Sequence, residues 1–239
     1  MTLIITDISR HGVVMAADSA ETQEFVGMSG RKYSRVLVGL RKLHSIQNLK
    51  GAVAFWGLGE IQTLSGPART PTDIWLADFI ARNDHLVSLE QVAYTLRSEL
   101  QKLLGSEAPE LGFHVAGMGA NGEPLFFRIC NHTKARERRP EFEVDKETLA
   151  KFKEEPITLS DGDTNVYRQV ISPFDQTKPV AVTSQKQPIP HDTLAGRMDY
   201  HAAWVRFVSD LYQSGNLLRS IGGNVHTVAI DPNGFIKSM

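Results

Sequence analysis

Thr2 follows the initiator methionine, and that placement offers two groups that could work as a pair. On loss of Met1 the chain would begin with a threonine carrying both a hydroxyl and a free α-amine. An α-amine titrates at about 7.7–8.0, near the value a general base needs at neutral pH. A hydroxyl and a base on one residue is one of the known ways to activate an oxygen nucleophile. Asp18 closes the apolar run Val13-Val14-Met15-Ala16-Ala17, where a buried carboxylate would need a cation. Lys42, opening a further strand-like run, is the candidate partner. Its ammonium beside the amine would lower the amine's pKa as a like charge, while Asp18 would keep it protonated and fixed.

Positioning these groups falls to the first hairpin. Residues 3–8 and 13–18 are apolar, β-branched runs around Ser9-Arg10-His11-Gly12. A three-residue turn would pair Ser9 with Val13 and set Thr2 opposite Ala20. Asp18 would then share the face of Thr2 at diagonal distance, and a one-residue slip would move it to the other face. A second hairpin joins Lys42–Ile46 to Gly51–Phe55, while the polar, Gly-dotted stretch Glu21 to Arg41 reads either as irregular or as a further short strand pair around Val36-Leu37-Val38.

Beyond residue 70 the pattern turns helical. Thr70 as cap, Pro71 at the first helical position and Asp73 in the first turn predict a helix over 71–83. Ser88-Leu89-Glu90-Gln91 is a capping box, and Val92, Leu96, Leu100 and Leu103 carry the helix over 89–104 to Gly105. A third helix is expected over 198–214, with Tyr200, Trp204, Phe207, Val208 and Leu211 on its buried face. Strands resume at 113–116 and 125–129 and close the chain at 225–230 and 235–236. Strands, a helix pair, strands, a helix and strands suggest an α+β layered sandwich in one domain over 1–239. The segment 131–192 is the hardest to read; Lys134–Arg139 has the composition of a solvated loop, and four prolines fall in 172–192.

Several other signals carry less. Gly117-Met118-Gly119-Ala120-Asn121-Gly122 spells a dinucleotide-binding fingerprint, but Glu123-Pro124 and a β-rich run follow it where a helix would have to open. Asn121-Gly122 therefore reads as a hairpin turn. None of the eight histidines falls in a metal-binding pattern, and His114 and His226 lie in strands as structural residues. Twenty-six basic against 27 acidic residues leave a net charge of −1, which removes the bulk electrostatic case for nucleic acid or anionic membrane. No apolar stretch approaches the roughly 18 residues of a membrane helix, and no secretory signal opens the chain. With Cys130 as the only cysteine, a cytoplasmic setting is expected and Asn131-His132-Thr133 carries no glycosylation signal.

Thr2-Leu3-Ile4-Ile5, Gly12 to Ser19, Lys42 with Ile46, and Phe55-Trp56-Gly57-Leu58-Gly59 occur in an order that resembles proteasome β-type subunits and their bacterial relatives. So do Phe113–Gly117, Gly122–Phe126 and Gly222-Gly223-Asn224-Val225. The resemblance implies a four-layer αββα sandwich of the N-terminal-nucleophile hydrolase type. It implies that Thr2 is the nucleophile, that Lys42 tunes its amine, that Asp18 holds Lys42, and that the Gly57 N–H stabilises the oxyanion. The implied activity is threonine-type peptide-bond hydrolysis with no cofactor and no metal. The implied partners are a peptide or unfolded protein substrate, a homo-oligomeric ring and an ATP-dependent unfoldase. The sequence departs from the family near its closing glycines. Leu218 stands where a supporting acid would be and Ile221 where a serine would be, with Ser220 one residue off. A second supporting serine falls at Ser160 or Asp161, and the longer segment between Asp18 and Lys42 leaves Arg41 as a rival to Lys42. Two alternatives stay open: a catalytically degenerate structural subunit, and an amidohydrolase of small molecules.

Overall fold

Strands β1 (Leu3–Ser9) and β2 (Gly12–Asp18) pair antiparallel with Ser9 opposite Gly12. The turn is thus two residues, Arg10 and His11, and not the three expected. Gly12 explains the tighter turn: its φ is +133°, and an added Cβ would lie 2.1 Å from the Ile230 carbonyl oxygen. With Ile4 opposite Ala17, one further step brings Leu3, not Thr2, level with Asp18. The diagonal placement of Thr2 and Asp18 expected from the longer turn is therefore corrected. All residues of both strands are buried.

The computed structural model describes residues 2–26, 29–62, 69–133, 137–146, 156–162, 193–214 and 221–238. After β2 come β3 (Ala20–Val26), β4 (Lys32–Val38), β5 (Leu43–Ile46), β6 (Gly51–Gly57), β7 (Glu60–Gln62) and β8 (Arg69–Pro71). Helices α1 (Thr72–Arg82) and α2 (Leu89–Leu104) follow, then β9 (Leu111–Met118), β10 (Pro124–His132), β11 (Arg138–Lys146) and β12 (Ile157–Gly162). Helix α3 (Leu194–Ser214) precedes β13 (Val225–Asp231) and β14 (Gly234–Ser238). One five-stranded sheet runs β12-β1-β2-β13-β14 and another β11-β10-β9-β6-β5, while β3-β4 and β7-β8 are separate two-stranded sheets.

The clear four-layer αββα sandwich expected from the sequence is not what these residues form. Antiparallel strands in four sheets dominate, with three α-helices among the described residues. Among the described residues α1 and α2 pack on the β9–β6 sheet, and α3 packs on β1 and β2. Among the described residues between Asp18 and Lys42, β3 pairs with β4, and between Gly57 and α1, β7 pairs with β8, each as a two-stranded ribbon outside the two large sheets. Between the large sheets Ile4, Met15 and Ala17 meet Ala54, Trp56 and Phe126, as alternating inward positions require.

Ser88 caps α2 by accepting a hydrogen bond from the Gln91 N–H at 3.2 Å, and Gly105 with φ +64° ends it. In α1, Pro71 rather than Thr70 is the N-cap; Thr70 belongs to β8, and the Thr72 hydroxyl donates to the Leu58 carbonyl. Helix α3 buries Met198, His201, Val205, Val208 and Tyr212, not the expected aromatic face. Val208 is common to both faces; Phe207 is 42 % exposed, and Tyr200, Trp204 and Leu211 are half-buried. Small and polar members of the true stripe, Ala202 and His201, hid it from a reading led by aromatics. Strands β11 and β12 fall in the segment hardest to read. Both are edge strands, and β11 buries Phe142 alone, so little alternation marks it. The readings that rest on Met1, on 134–136, on 163–192 and on Leu218 and Ser220 lie outside the described residues.

Candidate active site

Asp18 is fully buried at the end of β2, and its two oxygens are saturated by four donors. Oδ1 accepts from the Leu3 N–H at 3.0 Å and from Lys42 Nζ at 3.2 Å. Oδ2 accepts from the Ala20 N–H at 3.0 Å and the Gly222 N–H at 3.1 Å. Each oxygen thus presents lone pairs to two donors. The shared Oδ1 joins Lys42 to the amide that follows Thr2.

Lys42 is 1 % exposed just before β5. Burial pushes its ammonium below the ordinary lysine value, and the Asp18 charge and hydrogen bond oppose that shift. Nζ also donates to the Ala20 carbonyl. Arg41, the rival, is exposed; its N–H meets Asp73 and its side chain the Leu43 carbonyl. The sheet alternation thus selects Lys42 as the partner of Asp18.

Two glycine-dependent approaches frame the site. Gly222 donates to Asp18, and a Cβ at Gly223 (φ +73°) would stand 2.4 Å from Ser19 Oγ. The Ser19 hydroxyl in turn accepts from the Asn224 N–H at 2.7 Å. On the other side, a Cβ at Gly162 (φ +92°) would stand 1.8 Å from the Thr2 carbonyl oxygen and 3.5 Å from Trp56 Cβ. Gly162 therefore lets the end of β12 lie between Thr2 and the Trp56-Gly57 end of β6. Gly57 is exposed with φ +96°, and a side chain there would meet the Glu110 carbonyl at 2.2 Å. Thr2 itself is 3 % exposed. Thr2, Asp18, Lys42 and Gly57 thus gather at one end of the paired sheets.

Of the supporting positions, Ile221 is buried among Leu3, Val205 and Tyr212 and offers no hydroxyl. Asp161, paired with Ile4, is engaged by Arg128 and His114; Ser160 is paired with Ile5 and half-buried.

Sequence reasoning missed two buried polar groups. The first links the sheets: Thr6 Oγ1 lies 2.9 Å from His114 Nδ1, and His114 Nε2 lies 2.9 Å from Asp161 Oδ2. Arg128 donates to both Asp161 oxygens, at 2.8 and 3.0 Å. Burial would raise the Asp161 pKa, but hydrogen bonds and charge from His114 and Arg128 outweigh it and hold the carboxyl well below its usual range. Burial lowers the His114 pKa, with Asp161 opposing and Arg128 assisting. The second group joins Asp7 on β1 to Arg197, Thr158 and His201 beneath α3. Only the inward charges at otherwise apolar positions, such as Asp7 and Arg128, could have signalled either. His226, read as a satisfied structural residue, instead has a buried Nδ1 with no partner among the described residues. Among those residues, too, no group of three or more His, Cys, Asp or Glu side chains is arranged to hold a metal ion. No helix among them is long and apolar enough to cross a membrane.

No protein-family model matches the chain, and no curated protein matches it. Solved structures do. Anbu (ancestral beta-subunit) from Yersinia bercovieri matches with a TM-score of 0.57 at 13% identity, covering 96% of this chain and 81% of that one. An Anbu (Gly-1) mutant from Hyphomicrobium sp. strain MC1 matches with a TM-score of 0.55 at 12% identity, covering 100% and 86%. The family assignment implied by the sequence resemblance is thereby corrected: these neighbours are Anbu proteins, not proteasome β-type subunits, and at this identity the likeness is one of fold. Glycines such as Gly12 and Gly223 are demanded by tight backbone approaches, so they track the fold more than a family.

Proposed function

We propose that the chain is an amide-bond hydrolase that uses Thr2 as an N-terminal nucleophile. The observation that carries the reading is the Asp18 carboxylate shared between the Leu3 N–H and Lys42 Nζ, which ties a buried cation to the backbone just after Thr2. Once Met1 is removed, the α-amine takes the Thr2 hydroxyl proton as Oγ attacks a substrate carbonyl. The neighbouring Lys42 charge keeps that amine unprotonated near neutrality. The Gly57 N–H faces the developing oxyanion. Collapse breaks the C–N bond, the leaving amine carries away the proton, and an ester to Thr2 remains. Water then attacks the ester carbonyl, giving a proton to the amine; the acyl C–Oγ bond breaks, the carboxylic acid departs, and the amine returns the proton to Oγ.

The Anbu fold supports a peptidase of this kind, and peptides are the proposed substrates. The 239 residues act as one domain, in a homo-oligomer that encloses the sites within the cytoplasm. Exposed Ile74, Val87 and Tyr94 on the α1–α2 side favour such association. Folded substrates would then require an ATP-dependent unfoldase. The test is intact mass of natively expressed protein, followed by incubation with a peptide β-lactone. Loss of Met1 and a single adduct on Thr2 are expected, with hydrolysis abolished and folding kept in Thr2→Ala. Retention of Met1 throughout would refute the reading.

A second reading rests on Ile221, which packs in an apolar cluster where a supporting hydroxyl was expected. On that reading the chain is a structural subunit, and a processed Thr2 that remains unlabelled by the lactone would select it.

A further inference from the structure

Four polar side chains join the inward faces of the two large sheets, which are otherwise lined largely by apolar residues such as Ile4, Met15, Ala54 and Phe126. Thr6 and Asp161 project from one sheet, His114 and Arg128 from the other, and each finds a partner across the gap. Asp161 accepts two bonds from the Arg128 guanidinium, a fork-to-fork arrangement that fixes orientation as well as distance. An ionised Asp161 requires the proton of neutral His114 on Nε2, so Nδ1 accepts and the Thr6 hydroxyl donates. The chain of bonds is thereby directional and complete.

A buried ion pair of this kind does not by itself favour folding over a well-packed apolar core. Its position is more informative. Asp161 immediately precedes Gly162, whose α-carbon lies against the Thr2 carbonyl. Trp56 immediately precedes Gly57. The Arg128 guanidinium lies 5.4 Å from the Trp56 ring centroid, and His114 meets that ring edge-on at 5.2 Å. The indole Nε1 has no hydrogen-bond partner among the described residues, so these ring contacts and Gly112 set its orientation. Both backbone segments that face each other across the site thus stem from the same bridge.

We propose that the Thr6–His114–Asp161–Arg128 bridge is a positioning device that fixes the separation of Thr2 from Gly57, and so governs the acylation rate and not substrate affinity. The proposal rests on the reading of Thr2 as nucleophile. The protein supplies its own control. Asp7 also lies on β1, is fully buried, and is bound by Arg197, but it faces α3 and touches neither Gly162 nor Trp56.

The experiment compares Asp161→Asn with Asp7→Asn in the full chain. It measures thermal stability, kcat and KM on a peptide amide, the rate of β-lactone labelling at Thr2, and amide hydrogen exchange at Leu3 and Gly57. Asp161→Asn is expected to lower kcat and labelling by about 10- to 100-fold, the range expected for a misplacement near 1 Å, with KM unchanged and exchange at both amides faster. Asp7→Asn is expected to lose comparable stability while leaving labelling and those amides as in the parent. Equal losses in both variants, or unchanged Leu3 and Gly57 exchange in Asp161→Asn, would overturn the proposal. If the processed parent is never labelled while exchange still divides the two variants, the bridge retains its positioning role and the nucleophile reading falls instead.

Discussion

Replacing Asp18 by Asn removes a charge while keeping nearly the same shape, so the cost lies in the bonds its oxygens make. The carboxylate serves four donors, two on each oxygen. An amide presents one acceptor oxygen, so two of those donors must face an NH2 group. Lys42, 1 % exposed, would also lose its only ion-pair partner among the described residues. Breaking a buried pair from one side costs about 3–5 kcal/mol. The cost has a ceiling at pH 7, because Lys42 can shed its proton instead. From an unfolded value near 10.4, neutralising it costs about 5 kcal/mol, at 1.36 kcal/mol per pH unit. A loss of about 3–5 kcal/mol corresponds to a Tm lowered by about 6–20 °C in a chain of this size. The pH dependence carries the sharper signature. With Lys42 titrating below its unfolded value in the variant, the unfolded state binds more protons, so stability rises with pH up to about 10. Urea melts of parent, Asp18→Asn, Lys42→Met and the double variant from pH 6 to 10 give the cycle directly. The double variant should regain much of the loss, since no uncompensated charge remains. An Asp18→Asn protein within 2 °C of the parent (about 1 kcal/mol or less), or one whose deficit is flat with pH, would refute this account.

Asp7 titrates at about 2, because His201 and Arg197 together outweigh the burial that would raise it. Its contribution is fully present above the unfolded value of 3.8 and is lost as pH falls toward 2, amounting to about 2 kcal/mol. Acid melts should show that loss in the parent and lack it in Asp7→Asn. Gly162→Ala would place a Cβ 1.8 Å from the Thr2 carbonyl at φ +92°, so β12 must withdraw from β1. A destabilisation of several kcal/mol is expected from strain and overpacking, with faster exchange at Leu3 in mass-spectrometric hydrogen exchange. A protein as stable as the parent would show the approach to be soft.

What the sequence disclosed tracks the strength of local rules. The β5–β6 hairpin, the α2 cap at Ser88 and the turn at Gly122 each depend on residues close together in the chain, and each was legible. The pairing of Asp18 with Lys42 was legible because a carboxylate ending an apolar strand has few ways to be satisfied. The first turn misled by one residue because its length is set by Gly12 against Ile230, near the far end of the chain. Edge strands β11 and β12 were hidden by their exposure, and the four-layer expectation failed where β3–β4 and β7–β8 closed on themselves. Short motifs in order also suggested a family that neither the fold likeness nor any family model supports.

The corrected register alters the role of Asp18. Under the longer turn it would have approached Thr2 side by side, as a neighbour on one face. In the observed pairing it lies level with Leu3 and binds the backbone, so its hold on Thr2 passes through the Leu3 N–H rather than through a side chain. The same carboxylate binds the Gly222 N–H, which brings the closing glycines onto the first hairpin, and Lys42, which brings in the second sheet. Three segments distant in sequence therefore converge on two oxygens. Such a junction forms only when the sheets, the hairpin register and the glycine loop are all in place. The groups proposed for chemistry are thus assembled by folding itself, and a variant that loses the junction should lose stability and Thr2 reactivity together. A variant at Thr2, whose side chain is not among the donors to Asp18, should lose reactivity alone.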